Sequence, residues 1–405
     1  MPNERLKSLI EAEIPALREI RHDLHRHPEL CFEERYTSGL VQRELRAAGI
    51  AFKAGLGKGT GIIAHLPATD PAGAKQMAVA FRADMDALPV VEQTGLPYAS
   101  LTQGLMHACG HDGHTTMLLG AAKILAKMPR SRPVTFVFQP AEEGGGGADI
   151  MCREGALAGE ERGGIGTPVG EIYGLHGWPT FEVGRVATRP GPILAATDDF
   201  TITIRGTQAH GAYPHFGADP IVAAAQTIVA IQTIASRNIG PLESVVVTVG
   251  AINAGTANNI IPETARFIGT VRTLRASTRA LAKKRFFEIV EGTAMAMGCR
   301  AEIDWHEGYP VTANDPAATE TFFRTARAAL GESRVEVVPD ATMGGEDFSY
   351  YGHHVPACFF FLGLRPTGRD AYPTLHQPDF DFNDEALPTG IELFCELAAS
   401  APVQR

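Results

Sequence analysis

The chain has 405 residues, of which 44% are hydrophobic and 20% charged, with a formal net charge of −10. That length favours two domains over one, and the composition is that of a globular protein. The acidic balance argues against a nucleic-acid partner, which needs a concentrated basic face, and no run of about 18 apolar residues offers a transmembrane helix.

The first stretch, MPNERLKSLIEAEI, is amphipathic and charged and lacks the apolar centre of a secretory signal. Residues 3–27 carry Leu6, Leu9, Ile10, Leu17, Ile20 and Leu24 at helical spacing, with Pro28 just beyond. A second helix is expected over 36–48, stopped by Gly49. After glycine-rich punctuation at 55–61, short apolar runs at 61–66 and 77–82 read as strands. The second runs into Asp84-Met85-Asp86. Carboxylates at a strand end lie where α/β proteins place their chemistry.

Residues 106–114, Met-His-Ala-Cys-Gly-His-Asp-Gly-His, concentrate three imidazoles, a thiol and a carboxylate. Cys109 and His111 can face one metal ion if Gly110 turns the backbone between them. Thiolate, imidazole and carboxylate together suit zinc, manganese or cobalt better than magnesium or calcium. A helix is expected from about 115 to 127. The run PVTFVF at 133–138 then reads as a strand buried on both faces. It leads into Gln139-Pro140-Ala141-Glu142-Glu143 and four glycines. A Glu pair there could be a solvated acidic loop, or one base and one metal ligand, and periodicity does not assign the roles. His176 ends another short strand in the run 172–179, and His376 lies in Thr374-Leu375-His376-Gln377. Cys109, His111, Glu143, His176 and His376 are the candidate metal ligands. A metal lowers the pKa of bound water towards about 7, and a carboxylate that is not a ligand can take the proton.

The pattern changes after about 186. DFTITIR at 199–205 alternates with period two, 220–236 is a strong helix, 244–252 and 265–274 are strands, and 277–297 is an amphipathic helix. This suggests an inserted α+β domain over 187–298. A discontinuous catalytic domain then occupies 1–186 and 299–405, with CFFFL at 358–362 as a further buried strand and a last helix from 384. The six scattered cysteines are no disulfide framework, so a reducing cytoplasm is the expected location.

Several ordered motifs carry a family resemblance: FRADMDALP, MHACGHDGHTTMLLGAA, FQPAEEGGGGA, GLHGWP, GTQAHGAYPHFGADP, NNIIPETARFIGTVR, MGGEDFSYY and LHQPDFDFND. The chain resembles the M20 metallopeptidases nearly end to end, and within them the amidohydrolase branch. The resemblance implies an α/β catalytic domain with a central mostly parallel sheet and an inserted lid domain, often the surface of a homodimer or homotetramer. It implies two divalent metal ions (manganese, zinc or cobalt) on Cys109, His111, Glu143, His176 and His376, with Cys109 shared. Glu142 corresponds to the general base, and Asp86 to the carboxylate that orients a ligating histidine. The peptidase members carry a histidine where this chain has Asp84 and a carboxylate bridge where it has Cys109, departures that the amidohydrolase branch shares.

Within the lid, His210 matches a histidine that contacts the scissile carbonyl, in some members from the partner subunit. Without the resemblance it reads as an exposed loop residue. Asn259 and Arg272 match positions that hold the substrate's free carboxylate, although Arg272 could equally be a strand residue facing solvent. Glu346 and Asp347 are expected to line the cleft, with a structural turn as the alternative. His107, Asp112 and His114 are expected beside the metals without ligating them. The implied activity is hydrolysis of a small-molecule N-acyl or N-aroyl amino acid of hippurate type. Alternatives are a dipeptidase, a deacetylase of N-acetyl-amino acids including N-acetyl-diaminopimelate, a non-catalytic metal- or ligand-binding relative, and a hydrolase using Cys109 as nucleophile.

Overall fold

The computed structural model of the chain describes residues 2–403. It divides into two compact units. The first takes the chain up to Ile193, Ala313–Asp340 and the residues from Asp347 onward, and the second takes Leu194–Thr312 and Ala341–Glu346.

The first unit is built on one eight-stranded sheet. Its strands are β1 (Ala51–Leu56), β2 (Gly61–Leu66), β3 (Ala78–Asp84), β4 (Val134–Gln139), β5 (Val169–Glu182), β6 (Val186–Thr188), β15 (Val335–Val337) and β16 (Ala357–Arg365). Their order is β1-β2-β4-β3-β5-β16-β6-β15. The central strands β4, β3, β5 and β16 are mutually parallel. They are apolar and buried almost throughout, as a parallel sheet covered on both faces requires. Helices α1 (Pro2–Arg26), α3 (His111–Ala126) and α9 (Leu387–Ala399) pack on one another, and α7 (Pro316–Leu330) packs on α9 and β16. Leu6, Ile10, Leu17 and Leu24 of α1 are buried at helical spacing. Each such side chain contributes roughly 1.5–3 kcal/mol by leaving water. The helices approach so closely at Gly120 that a Cβ there would lie 2.8 Å from both Leu17 and Ile391. Shorter helices complete the unit: α2 (Arg35–Ala47) lies on β1, while α4 (Gly147–Arg153) and α8 (Ser349–Gly352) pack together.

The second unit has a four-stranded antiparallel sheet in the order β10-β12-β8-β13. The strands are β8 (Ala196–Arg205), β10 (Val245–Ala254), β12 (Thr264–Thr273) and β13 (Arg300–Glu307). Period-two alternation sends Phe200, Ile202 and Ile204 into the core beneath α5 (Pro220–Ile231) and α6 (Ala276–Ala296). Asp219 caps α5 by accepting from the N–H groups of Ile221 and Val222, with Pro220 at the first helical position. A two-stranded ribbon joins β9 (Ala209–His210) to β11 (Ile260–Ile261). Short strands β7 (Gly191–Leu194) and β14 (Thr312–Asn314) straddle the points where the chain passes between units.

The boundaries differ from those expected at 187 and 298. Val186–Thr188 pairs with β15 and so belongs to the large sheet, while Arg300–Glu307 pairs with β8 and so belongs to the small one. Strand β1 was not expected; AFKAGL is an edge strand with weak alternation, broken by a bulge between Ala54 and Leu56. The helix over 220–236 stops at Ile231, and Ile234–Asn238 forms a separate wider turn. His176 sits inside a 14-residue strand instead of ending a short one. Among the described residues no helix is long and apolar enough to cross a membrane.

Candidate metal centre

Helix α3 starts at His111, four residues before the expected Thr115. Gly110 adopts φ 83°, and its carbonyl accepts from the N–H groups of Gly113 and His114. That left-handed residue swings Cys109 onto one side of the helix start and His111 onto its first turn. From the neighbouring strands, Gly174 of β5 pairs with Arg82 of β3, so His176 comes level with Asp84. Asp84 itself pairs with Gln139 at the end of β4, just before Glu142 and Glu143. The parallel register therefore gathers residues far apart in sequence at the carboxyl ends of adjacent strands.

Of the five donor groupings among the described residues, three hold two or more of the expected ligands: Cys109, His111 and His176; Cys109, Glu143 and His376; and His111, Glu142 and Glu143. Within each set the ligand atoms lie within 4.8 Å of one another. All five sequence-predicted ligands are thus brought together, with Cys109 common to two sets. Cys109 Sγ lies 3.3 Å from His176 Nε2, and His376 Nε2 lies 3.1 Å from Glu143 Oε1. His376 holds φ 65°, and its N–H donates to the Ala108 carbonyl at 2.8 Å. Such a φ is costly for a residue with a Cβ and accumulates at functional sites.

Asp86 is the hub. Its Oδ1 accepts from Glu142 N–H at 3.0 Å and lies 3.3 Å from His111 Nδ1. Its Oδ2 accepts from Glu143 N–H at 2.9 Å and from the Cys31 thiol at 3.3 Å. With Nδ1 facing Asp86, His111 turns Nε2 into the cluster, where this buried atom has no hydrogen-bond partner among the described residues. The Asp84 carboxylate, 3.8 Å away, is beyond hydrogen-bond reach. Burial, then the Glu143 and Glu142 carboxylates, push the Cys109 thiol well above its usual range. A cation among these donors would reverse that balance, because it would favour the thiolate and give the unpartnered imidazole nitrogen a partner. The donor set therefore fits divalent ions of the zinc, manganese or cobalt type.

Residues around the donors are paired elsewhere. His114 lies 2.7 Å from Asp84 through Nδ1 and accepts from Gly177 N–H through Nε2 at 2.8 Å, so both its nitrogens are used. Asp112 accepts from His25 at 2.8 Å and faces Arg21 at 3.4 Å. His107 is buried, and burial lowers it to about 4. Asp347 accepts from Arg82, Gln139 and Ala148 N–H. It therefore braces the β3–β4 ends, and its own N–H reaches Glu142 Oε1 at 3.4 Å.

The remaining predicted residues lie in the second unit. His210 is exposed on β9 and pairs with Ile260; its Nδ1 accepts from Ala212 N–H at 3.0 Å. The Asn259 carbonyl accepts from Gly211 N–H at 2.8 Å, which sets Asn259 beside the His210 turn. Arg272 is near the far end of β12, where its Nε donates to Thr270 Oγ1 at 3.0 Å. A Cβ on Gly345 would lie 3.2 Å from Arg272 Nη1, so Gly345 sits beside Arg272, one residue before the buried Glu346. The unit thus forms two groups, His210 with Asn259 and Arg272 with the 345–346 segment. The sequence does not mark the bond from Ala141 N–H to Glu34 or the pairing of Arg82 with Asp347. Each works across more than 100 residues, so no local spacing marks it.

Residues 80–400 match the model of peptidase family M20/M25/M40. The N-acetyl-L-cysteine deacetylase of Bacillus subtilis is 42% identical over 372 residues, covering 91% of this chain and 84% of the relative. The hippurate hydrolase of Campylobacter jejuni is 37% identical over 379 residues, covering 94% of each. A solved Bacillus subtilis structure, described as a dinuclear metal binding peptidase from the M20 family, matches with a TM-score of 0.79 and 34% identity over 96% of this chain and 98% of its own. A family model spanning residues 80–400, with relatives alike over nine-tenths of this sequence, leaves one assignment: the chain belongs to peptidase family M20/M25/M40.

Proposed function

We propose that the chain hydrolyses the amide bond of N-acyl or N-aroyl amino acids of hippurate type, releasing a carboxylic acid and a free amino acid. The observation that carries this is the division between adjacent carboxylates. Asp86 takes both backbone N–H groups, Glu143 faces His376 and Cys109, and Glu142 sits buried against Asp347 N–H. Two divalent ions (manganese, zinc or cobalt) would be held by Cys109, His111, Glu143, His176 and His376 and would supply Lewis acidity there. Glu142 takes the proton of the water that adds to the acyl carbon. It returns that proton to the nitrogen as the C–N bond breaks. Asp86 keeps His111 oriented throughout. Because His210 Nδ1 accepts from Ala212 N–H, Nε2 is left as the ring's donor, a group suited to the carbonyl oxygen. Asn259, Arg272 and Glu346 are assigned to the amino-acid end, Arg272 gripping the carboxylate.

The arrangement of the second unit supports a homodimer or homotetramer. Thr264 and Arg272 are eight residue steps apart on the strand, roughly 26 Å, and His210 and Asn259 lie beyond the Thr264 end. One small substrate does not reach both groups within one copy of this unit, whereas two copies bring together one group from each. Edge strand β10 exposes Val246 and Ile252, and α5 exposes Val222 and Val229, a surface suited to a second copy. Six unpaired cysteines support a reducing, cytoplasmic setting. A second reading, deacetylation of N-acetyl-amino acids, is favoured by the 42% identity to the N-acetyl-L-cysteine deacetylase.

The test is amino-acid release from hippurate, N-acetyl-amino acids, a plain dipeptide and indole-acetyl conjugates, with EDTA and then with Mn²⁺, Co²⁺ or Zn²⁺ restored. Activity on acylated compounds should vanish and return. Glu142→Gln should fold, bind metal and lose about 10²–10⁴-fold in kcat. Chelator-insensitive activity that is abolished by alkylation would move the chemistry to Cys109 as a nucleophile.

A further inference from the structure

The turn that carries Glu142 and Glu143 has an unusual backbone. Three consecutive N–H groups, of Ala141, Glu142 and Glu143, all donate to buried carboxylates: Ala141 to Glu34, and the other two to Asp86. Ala141 sits at φ 56°, a left-handed conformation disfavoured for any residue with a Cβ. Its N–H meets Glu34 Oε1 at 2.9 Å. The same oxygen accepts from Phe32 N–H at 2.9 Å, and Phe32 is also left-handed, at φ 65°. Glu34 Oε2 accepts from the Thr60 hydroxyl at 2.7 Å. Glu34 is fully buried, so its carboxyl has no solvent to satisfy it and every acceptor site turns inward. One residue before Phe32, the Cys31 thiol contacts the Glu143 carbonyl at 3.1 Å.

We propose that Glu34 is a positioning residue for the reaction: by accepting from Ala141 N–H it fixes the strained residue that aims Glu142, 107 positions away in sequence. Two buried carboxylates share the work. Asp86 holds the turn from the His111 side, and Glu34 holds it where the chain leaves β4. This rests on the reading of Glu142 as the base. A purely structural role for Glu34 would lower stability without depending on the φ of Ala141. The positioning role does depend on it, and this separates the two. Burial, opposed by the Thr60 hydroxyl, pushes the Glu34 carboxyl up to about 7, and glutamine is the isostere of its neutral form. A glutamine keeps an oxygen at the Oε1 position, and its amide can donate to Thr60 Oγ1. Methionine fills a similar volume but offers only a weakly accepting thioether.

The experiment compares wild type, E142Q, E34Q, E34M, A141G and E34M/A141G in the metal-loaded protein. It reads kcat and KM on hippurate or N-acetyl-amino acids and amide hydrogen exchange in the peptide covering 138–147. E34M should lower kcat at least tenfold with KM within about twofold, and should speed exchange in that peptide. E34Q should stay within about threefold of wild type on both readouts. Adding A141G to E34M should recover at least threefold of the lost kcat, because glycine takes φ near 56° without a Cβ penalty. If E34M does not accumulate as folded protein, E34A and E34A/A141G replace it with the same readings. Wild-type kcat and exchange in E34M would overturn the proposal, as would a loss that A141G leaves untouched. Wild-type kcat in E142Q would instead sink the base assignment. The exchange result would then still decide whether Glu34 holds the turn.

Discussion

In the first unit the strongest charges are out of water. Arg21, Arg82 and Arg132 are fully covered, and Asp84, Asp86 and Asp112 sit beside them or beside histidines. In the second unit Asp198 is buried beside Arg279, but more of the charged and polar groups face solvent: Arg205 pairs with Glu302 at the surface, and His210 and Asn259 are exposed. Most exposed large hydrophobic residues are there too, with Leu242 at 98% and Val229 at 68% exposure. The contrast separates two ways of preparing a site. A cluster that must gather like charges needs its geometry fixed in advance by buried partners. A surface that meets substrate or a second copy keeps its donors and apolar groups uncommitted.

The largest expected break of this contrast is Arg82→Met. Arg82 binds Asp84 at 2.5 Å and Asp347 at 2.9 Å, so the variant leaves two buried carboxylates without their cation. A loss of about 3–5 kcal/mol in urea unfolding is expected. Next comes pH. Burial works against a charged His25, but its bonds to Asp112 and Glu92 outweigh burial and raise it to about 9. Its unfolded value is about 6.5. The folded pKa is the higher one, so the stabilisation is complete below pH 6.5 and is lost as pH rises through 9. Wild type should lose roughly 2–4 kcal/mol relative to His25→Gln across that window, and a gap that stays constant would refute the linkage. A smaller effect is expected from His210→Ala: a ten- to hundredfold fall in kcat, about 1.4–2.7 kcal/mol, with the melting temperature unchanged because the ring is exposed. Smallest is Arg205→Ala, whose melting curve should overlay that of wild type, since a solvated ion pair is screened. A clear destabilisation there would erase the distinction between the units.

Much of the candidate site is legible because its parts lie in short local motifs, whose roles the family resemblance implies. Cys109, His111 and the Glu142–Glu143 pair lie within short runs, and the apolar strands before them announce a parallel sheet. The supports were not readable. Arg82 to Asp347 spans 265 positions and Glu34 to Ala141 spans 107, and neither leaves a period in the chain. The domain edge failed for the same reason. Residues 341–346 join the second unit through pairing of Leu194 with Thr342 and donation from Ala195 N–H to the Gly344 carbonyl. Arg300–Glu307 reads simply as more strand until its partner β8 is known. Helix α3 began early because Gly110, not the helix propensity of His111 and Asp112, decides where it starts.

The strand order has a consequence for synthesis. β5 ends at Glu182, but its parallel neighbour β16 begins only at Ala357, and His376 follows later still. Leu194–Thr312 therefore leaves the ribosome first and can collapse on its own apolar centre of Phe200, Phe267 and Phe286. Until the last fifty or so residues emerge, the nascent large sheet ends at an unpaired, buried-type edge on β5. A released chain ending near residue 350 should thus hold a folded second unit beside a half-sheet with an unpaired apolar edge. Under the proposed ligand set no such chain should retain both metal ions, because His376 and β16, the neighbour that pairs with the His176 strand, are made last.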